Sequence, residues 1–237
     1  MSLSELKTAR RLPPLETGDQ PSSEEFLRRY EAMPHLKKAE LIDGVVYVAS
    51  PTRWDEHAVP HQALALLLSS YWAYTPGTQG GDSGTVRLDM KNVPQPDLAL
   101  IILPSHGGQV EIDEDHYIAG APELVAEISA SMASIDLNSK FDLYRRNHLR
   151  EYIVWRVYDE EIDWFIERQG RFEPLEPDET GIYRSEAFPG LRLDPRALIK
   201  LDLLRVLQVL QQGIDSPEHS AFVARLTQAG SERVKKA

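Results

Sequence analysis

The sequence has no cysteine. Disulfides, thiolate zinc sites, iron–sulfur clusters and cysteine nucleophiles are therefore excluded. It is also short of positive charge: 26 Lys and Arg stand against 37 Asp and Glu, a formal net charge of -11. A protein that coats nucleic acid non-specifically carries the opposite excess, because it must neutralise phosphates. A local basic face, or a site whose positive charge is a metal ion, is compatible with that average. No apolar run approaches the ~20 residues of a membrane span. Met1-Ser2-Leu3-Ser4-Glu5 lacks the basic and apolar regions of a signal peptide. A cytoplasmic chain with no membrane partner is the expectation. What is present is an ordinary globular mixture: 237 residues, 42% hydrophobic and 27% charged, enough for a real core.

Residues 1–20 are polar, carry Pro13-Pro14 and read as a flexible lead. Ser22 and Glu25 form a capping-box pattern that starts a helix through Tyr30. Asp43-Gly44, between Leu41-Ile42 and Val45-Val46-Tyr47-Val48, predicts a hairpin. A helix is expected from Pro60 to Tyr74, with Leu64, Leu67, Leu68, Tyr71 and Trp72 as its apolar stripe. Residues 80–84 read as a glycine-rich loop, and residues 85–88, 97–103 and 124–129 as strands. Residues 136–147 read as a helix with Leu137, Phe141 and Tyr144 toward the sheet. Strands follow at 151–157 and 162–166. One helix is expected from Asp194-Pro195 to Gln212, striped by Leu203, Leu204, Leu207 and Leu210, and another from Ser216-Pro217 to near Gly230. The tail from Glu232 reads as frayed. The domain division is a lead at 1–20, a core domain at 21–200 and a helical appendage at 201–237.

One carboxylate sits where a buried strand has no need of it. In residues 124–129, Glu127 shares a face with Val125 and Ser129. Glu is almost never fully buried without a partner, so Glu127 is ion-paired, at a sheet edge, or bound to a metal. Asp97, at the head of the preceding apolar strand, poses the same puzzle. If the two strands are neighbours, the carboxylates converge at one end of the sheet. Lys140, three residues after Leu137, lies on the flank of its helix's packed face, and its four-carbon stem can reach that end. Two carboxylates and a lysine make a phosphodiesterase site. The carboxylates hold Mg²⁺ through oxygen, the metal polarises the phosphate and acidifies a water, and lysine orients that water or stabilises the developing charge. A structural ion pair locking helix to sheet is the competing reading.

Pro96-Asp97, Glu127-Ile128-Ser129, Asp136 and Lys140, in that order and spacing, resemble the PD-(D/E)xK nuclease superfamily, and within it the Uma-type restriction-endonuclease family. Glu40-Leu41-Ile42-Asp43-Gly44, Ser50-Pro51 with His61-Gln62, Arg150-Glu151-Tyr152-Ile153-Val154 and Phe188-Pro189-Gly190-Leu191 extend the resemblance over about residues 38 to 200. It implies a mixed α/β fold: a restriction-endonuclease-like α-β-β-β-α-β core with an N-terminal hairpin and C-terminal helices. It also implies Mg (or Mn) held by Asp97, Glu127 and the main-chain carbonyl of Ile128, with DNA hydrolysed by a metal-activated water. The usual lysine position, two after the glutamate, holds Ser129 here. The Uma-type pattern takes its lysine from the following helix, which maps to Lys140. Ala130-Ser131-Met132 departs from the family's usual loop.

Glu40, His61 and Ser129 are candidates to orient the metal ligands, although packing or capping would equally account for His61. His57 and His61 are four apart, but Pro60 should push Val59 out of the helical region, so only His61 is expected on the helix and a zinc pair is not. Arg145, Arg146 and Arg150 are either a solvated helix end or phosphate contacts beside the site. Trp155 and Trp164 read as core. Three functions compete: a Mg-dependent endonuclease, a nuclease-like module that binds a nucleic acid or protein without cutting, and an assembly protein using its C-terminal helices. Paired sites suit the cutting of two strands, so a homodimer is expected.

Overall fold

The structure is a computed structural model that describes residues 12–130 and 135–234. The first part of the expected lead, the Ser131-Met132 stretch and the last tail residues lie outside the described residues.

Ser22 caps α1 (Ser23–Glu31), its Oγ accepting from the N–H of Glu25. Phe26 and Leu27 of that helix, together with Leu15, bury against a hairpin of β1 (Ala39–Ile42) and β2 (Val45–Val48). The turn has positive φ at both Asp43 (50°) and Gly44 (77°), the conformation that makes Asp-Gly a hairpin signal. Residues 12–20, read from sequence as lead, are tied to this unit. Leu15 is buried, the Gly18 N–H donates to Val46 O, and Arg29 donates to the Pro13 carbonyl.

A wide π-type turn, Trp54–Ala58, runs directly into α2 (Val59–Tyr74). His57 is therefore on the helical path, contrary to the reading of Pro60 as a barrier. In the first turn of a helix the missing proline N–H has no bond to lose, and Val59 takes helical angles, φ -70° and ψ -50°.

The strands that follow are β3 (Thr78–Asp82), β4 (Val86–Arg87), β5 (Leu98–Ile102), β6 (Glu111–Ile112), β7 (Ile118–Ala119) and β8 (Leu124–Ser129). A second π-type turn, Ile135–Lys140, leads into α3 (Phe141–Arg146), which crosses over to β9 (Glu151–Arg156). β10 (Glu161–Arg168) and β11 (Arg171–Pro174) continue as a meander. The main sheet is six-stranded, in the order β3-β5-β8-β9-β10-β11. Its pairs are antiparallel except β8 with β9, the pair that α3 connects. Leu124, Ala126 and Ile128 pack on the α2 face with Leu64, Leu67, Leu68 and Tyr71, whereas Trp72, expected in the same stripe, is exposed. Val125 packs on the α3 face with Tyr144, Tyr152 and Val154. Each fully buried side chain of this size contributes about 1.5–3 kcal/mol.

The first strand of the core is not where the sequence suggested. Most of the supposed glycine loop is strand β3, and residues 85–88 supply β4, which pairs with β7 in a separate small sheet. Glycines carry no side chain, so they hide the alternation that marks a strand. A Cβ at Gly80 would meet the Trp72 ring at an ordinary contact distance of 3.4 Å, and one at Gly81 would meet nothing within 4 Å.

Beyond the sheet come β12 (Tyr183–Arg184) and β13 (Arg192–Leu193), a short antiparallel pair. Two helices, α4 (Pro195–Ile199) and α5 (Leu203–Ile214), replace the single one expected. Leu201 breaks it with φ 57°, and Asp202 caps α5 by accepting from the Arg205 N–H. The buried stripe of α5 is Val206, Val209, Leu210 and Gly213, while Leu203 and Leu204 are exposed. α6 (Pro217–Val234) follows. These two helices, read from sequence as an appendage, place Val206, Leu210, Phe222 and Leu226 in the same core as α2.

A fully buried carboxylate secures the C-terminal part to the sheet. Glu151 Oε1 accepts from the N–H groups of Glu186 (2.7 Å) and Ala187 (2.9 Å). Its Oε2 accepts from Ser185 Oγ (2.7 Å) and Trp164 Nε1 (3.2 Å). Burial pushes the Glu151 pKa up, and the donors only partly oppose that. The clasp fixes the Phe188-Pro189-Gly190-Leu191 turn over α2, where the Tyr71 hydroxyl donates to Pro189 O at 3.0 Å. That turn lies so close to α5 that a Cβ on Gly213 would fall 2.0 Å from Gly190 O. Glu151→Ala strands several buried donors and should lower stability by about 3 kcal/mol. The measurement is urea unfolding, in which the midpoint should fall with m unchanged.

Candidate metal centre and active site

β5 and β8 are antiparallel with Leu98 opposite Ala126. The residue before the first and the residue after the second, Asp97 and Glu127, are therefore neighbours at one end of the sheet. The Ile128 N–H donates to Asp97 Oδ2 at 2.8 Å, and the Asp97 N–H donates to Glu127 Oε2 at 3.3 Å. Each carboxylate is steadied by the backbone of the other's segment. Both are buried, at 4% and 2% exposure.

Lys140, at the end of the second π-type turn, lies behind Glu127. Its Nζ is 2.9 Å from Glu127 Oε1 and 3.0 Å from Glu40 Oε1. Tyr144, one helical turn further on, donates its hydroxyl to the same Glu127 oxygen at 3.3 Å. Glu40 is anchored by the N–H of Gln95 at 2.8 Å. Since Glu40 belongs to β1, the N-terminal hairpin forms one wall of the site.

Two further residues meet Asp97, one absent from the sequence reading and one discounted in it. Lys38 Nζ donates to Asp97 Oδ1 at 2.8 Å, and His57 Nε2 lies 3.1 Å from Asp97 Oδ2. Lys38 left a signal: it is two residues before Glu40 and so shares its strand face. His57 left one too, in its four-residue spacing from His61; the rings stack with centroids 5.8 Å apart. His61 Nε2 itself lies 3.1 Å from the Asp97 carbonyl oxygen and 3.5 Å from the Asp82 carboxylate. Burial opposes the charge on Asp97, but the His57 hydrogen bond and the Lys38 charge outweigh it and hold this carboxyl well below its usual range. Burial likewise works against the Lys38 ammonium, and the charges of Asp97, Glu127 and Glu40 outweigh it, so its pKa is raised.

The remaining candidates fall differently. Ser129 is buried, and its Oγ has no hydrogen-bond partner among the described residues. The structure does not bring the three arginines to the carboxylates. Arg150 precedes Glu151, which pairs with Leu124, so it lies about 13 Å along the sheet from Glu127 at strand spacing. It donates to Gln109 Oε1, Arg145 pairs with Asp142, and Arg146 pairs with Asp43.

A cavity of about 600 Å³ lies over the carboxylates, lined by Lys38, Glu40, Asp97, Glu127, Ile128 and Lys140 among others. The Ile128 side chain is in the α2 core, so it is the main chain of this residue that meets the cavity. Among the described residues, no three His, Asp or Glu side chains are grouped to hold a metal unaided. An ion here would draw on two carboxylates, a peptide carbonyl and water. That is an all-oxygen set, which fits Mg²⁺ or Mn²⁺ and does not favour zinc.

Residues 23–196 match the Uma2 family model, described as "Putative restriction endonuclease". The chain belongs to the Uma2 family. The matched residues run from α1 into α4 and include every group just described. This Uma2 chain is also similar to the crystal structure of a "putative nuclease belonging to DUF820" from Anabaena variabilis ATCC 29413. The TM-score is 0.54 at 14% identity, over 75% of this chain and 98% of that one, a likeness of fold. No curated protein matches the Uma2 chain. None of its described helices is long and apolar enough to cross a membrane.

In this Uma2 protein, Lys140→Met leaves Glu127 and Glu40 buried without their shared cation. It should cost about 3–5 kcal/mol in chemical denaturation, and adding Glu127→Gln and Glu40→Gln should recover most of the loss. Asp97 gives a pH test. A folded-state pKa below the unfolded one supplies stability above the usual Asp range and loses it as pH falls through the folded value. The stability advantage of wild type over Asp97→Asn should therefore shrink as pH is lowered from about 6 to about 3, measured by denaturant titration at each pH.

Proposed function

We propose that this chain is a divalent-metal-dependent endonuclease that hydrolyses DNA phosphodiester bonds. The observation that carries the reading is the meeting of Asp97 and Glu127 beneath an open cavity, each fixed by a main-chain N–H of the neighbouring strand segment. Membership of a family described as restriction endonucleases supports the choice of DNA.

Asp97, Glu127 and the Ile128 carbonyl would hold the ion, Mg²⁺ or Mn²⁺. When bound, it supplies charge neutralisation at the scissile phosphate and a more acidic water. The protein supplies orientation. Lys140 and Tyr144 pin one oxygen of Glu127, which leaves the carboxylate little freedom to turn. Lys38 and His57 keep Asp97 ionised, so it is ready to bind a cation without first losing a proton. Three carboxylates, two ammonium groups and the His57 imidazole share the site. A divalent ion held there would add the positive charge that attracts phosphate. With a net charge of -11 on the whole chain, DNA is drawn by this local field rather than by the surface at large. A cytoplasmic homodimer, offering one site per strand, completes the proposal.

Purified protein should nick supercoiled plasmid in Mg²⁺ or Mn²⁺ and not in EDTA. Asp97→Ala and Glu127→Ala should each slow nicking by at least ~1,000-fold, the equivalent of several kcal/mol of transition-state stabilisation. Plasmid left intact by wild type in both metals contradicts the nuclease and leaves a nuclease-like binding module.

A further inference from the structure

The two lysines at this site are not equivalent. The Lys140 side chain is 4% exposed and bridges two buried carboxylates, Glu127 and Glu40. Glu40 is in turn tied to the Gln95 N–H. Drawing the Lys140 ammonium away toward a ligand would take the nearest cation from two buried carboxylates at once. Lys140 is built to stay.

Lys38 is built otherwise. Its side chain is 25% exposed, lines the cavity, and meets Asp97 at 2.8 Å. It approaches the site from the hairpin side, whereas Lys140 approaches from α3. Asp97 retains the Ile128 N–H and His57 as partners if Lys38 turns away. A cation taken up by Asp97 would also compete directly with the Lys38 ammonium for the same carboxylate. The displaced ammonium would then remain at the cavity wall, on a flexible stem, with an anionic substrate as its natural partner.

We propose that Lys38, and not Lys140, is the lysine that contacts the substrate phosphate, and that Lys140 is a positioning residue for Glu127. This rests on the metal-dependent nuclease reading, so the deciding experiment does not depend on turnover. The probe is a nucleoside 3′,5′-bisphosphate, which has phosphates but no diester to cut. Its affinity is measured by titration calorimetry in saturating Mn²⁺, and Mn²⁺ affinity is measured separately without it.

Lys38→Met should weaken bisphosphate binding by about tenfold, the scale of a lost charged contact. Its Mn²⁺ affinity should be equal to or tighter than that of wild type, because a competing cation has gone. Lys38→Arg should restore bisphosphate binding to within about threefold, as Arg keeps the charge. Lys140→Met should instead weaken Mn²⁺ binding, through the loss of Glu127's orientation. Should Lys140→Met fail to fold, the Lys38 variants still decide the matter.

Bisphosphate binding in Lys38→Met within threefold of wild type overturns the assignment, as does a parallel loss of Mn²⁺ affinity, which would mark Lys38 as merely structural. Wild type that binds Mn²⁺ but no bisphosphate overturns it as well. A wild type that cuts plasmid while Lys38→Met binds bisphosphate normally sinks the Lys38 assignment and spares the nuclease. A wild type that binds Mn²⁺ and bisphosphate through Lys38 yet cuts nothing sinks the nuclease and spares Lys38.

Discussion

The site depends on a balance of buried charge. Asp97, Glu127 and Glu40 are each less than a tenth exposed, and an ionised carboxylate at such depth costs several kcal/mol unless it is paired and hydrogen-bonded. Lys140 sits between Glu127 and Glu40, Lys38 covers Asp97, and main-chain N–H groups take up further carboxylate oxygens. Glu127 and Glu40 depend on Lys140, whereas Asp97 keeps the Ile128 N–H and His57 beside Lys38. Hairpin, sheet and crossover helix must therefore come together in one arrangement, and the cavity forms in the same event.

This balance explains why the α1–hairpin unit, which has a small apolar core of its own, is bound to the main sheet. Its strand β1 carries Glu40, and the residue before it but one is Lys38. Cutting away the hairpin would remove a wall of the cavity, one carboxylate partner of Lys140 and the lysine on Asp97. The C-terminal helices work at a distance. Through the Glu151 clasp and the Gly190–Gly213 contact they close the α2 face of the sheet, and α2 is the helix that carries His61 against the Asp97 carbonyl.

Much of this was legible in the residues. The alternation in β8 put Glu127 on the face opposite Leu124, Ala126 and Ile128, and the helical spacing put Lys140 beside Leu137 and Phe141. Asp43-Gly44 marked its hairpin and Ser22 its helix cap. The failures have physical causes. β3 is rich in glycine, and residues without side chains show no period. The expectation that His57 lies off the helix rests on the restriction a proline places on the residue before it, a preference that Val59 overrides by taking helical angles. The single helix expected over residues 195–212 breaks at Leu201, φ 57°, and restarts at Asp202, an N-cap residue that a reading for apolar spacing alone passes over. Lys38 was overlooked because a lysine just ahead of a strand looks solvated until its partner, Asp97, 59 positions away, is placed beside it. The arginine cluster was open between a solvated helix end and phosphate contacts, and in the structure each arginine has an acceptor within the protein.

The most direct test is a crystal structure of the protein soaked in Mn²⁺, with data collected for the anomalous signal of manganese. An anomalous peak is expected between the Asp97 and Glu127 carboxylates, roughly 2.0–2.3 Å from their oxygens, with the Ile128 carbonyl as a third ligand and the Lys38 ammonium displaced from Asp97. No peak at that position in saturating Mn²⁺, with Lys38 still seated on Asp97, would contradict the metal-site proposal.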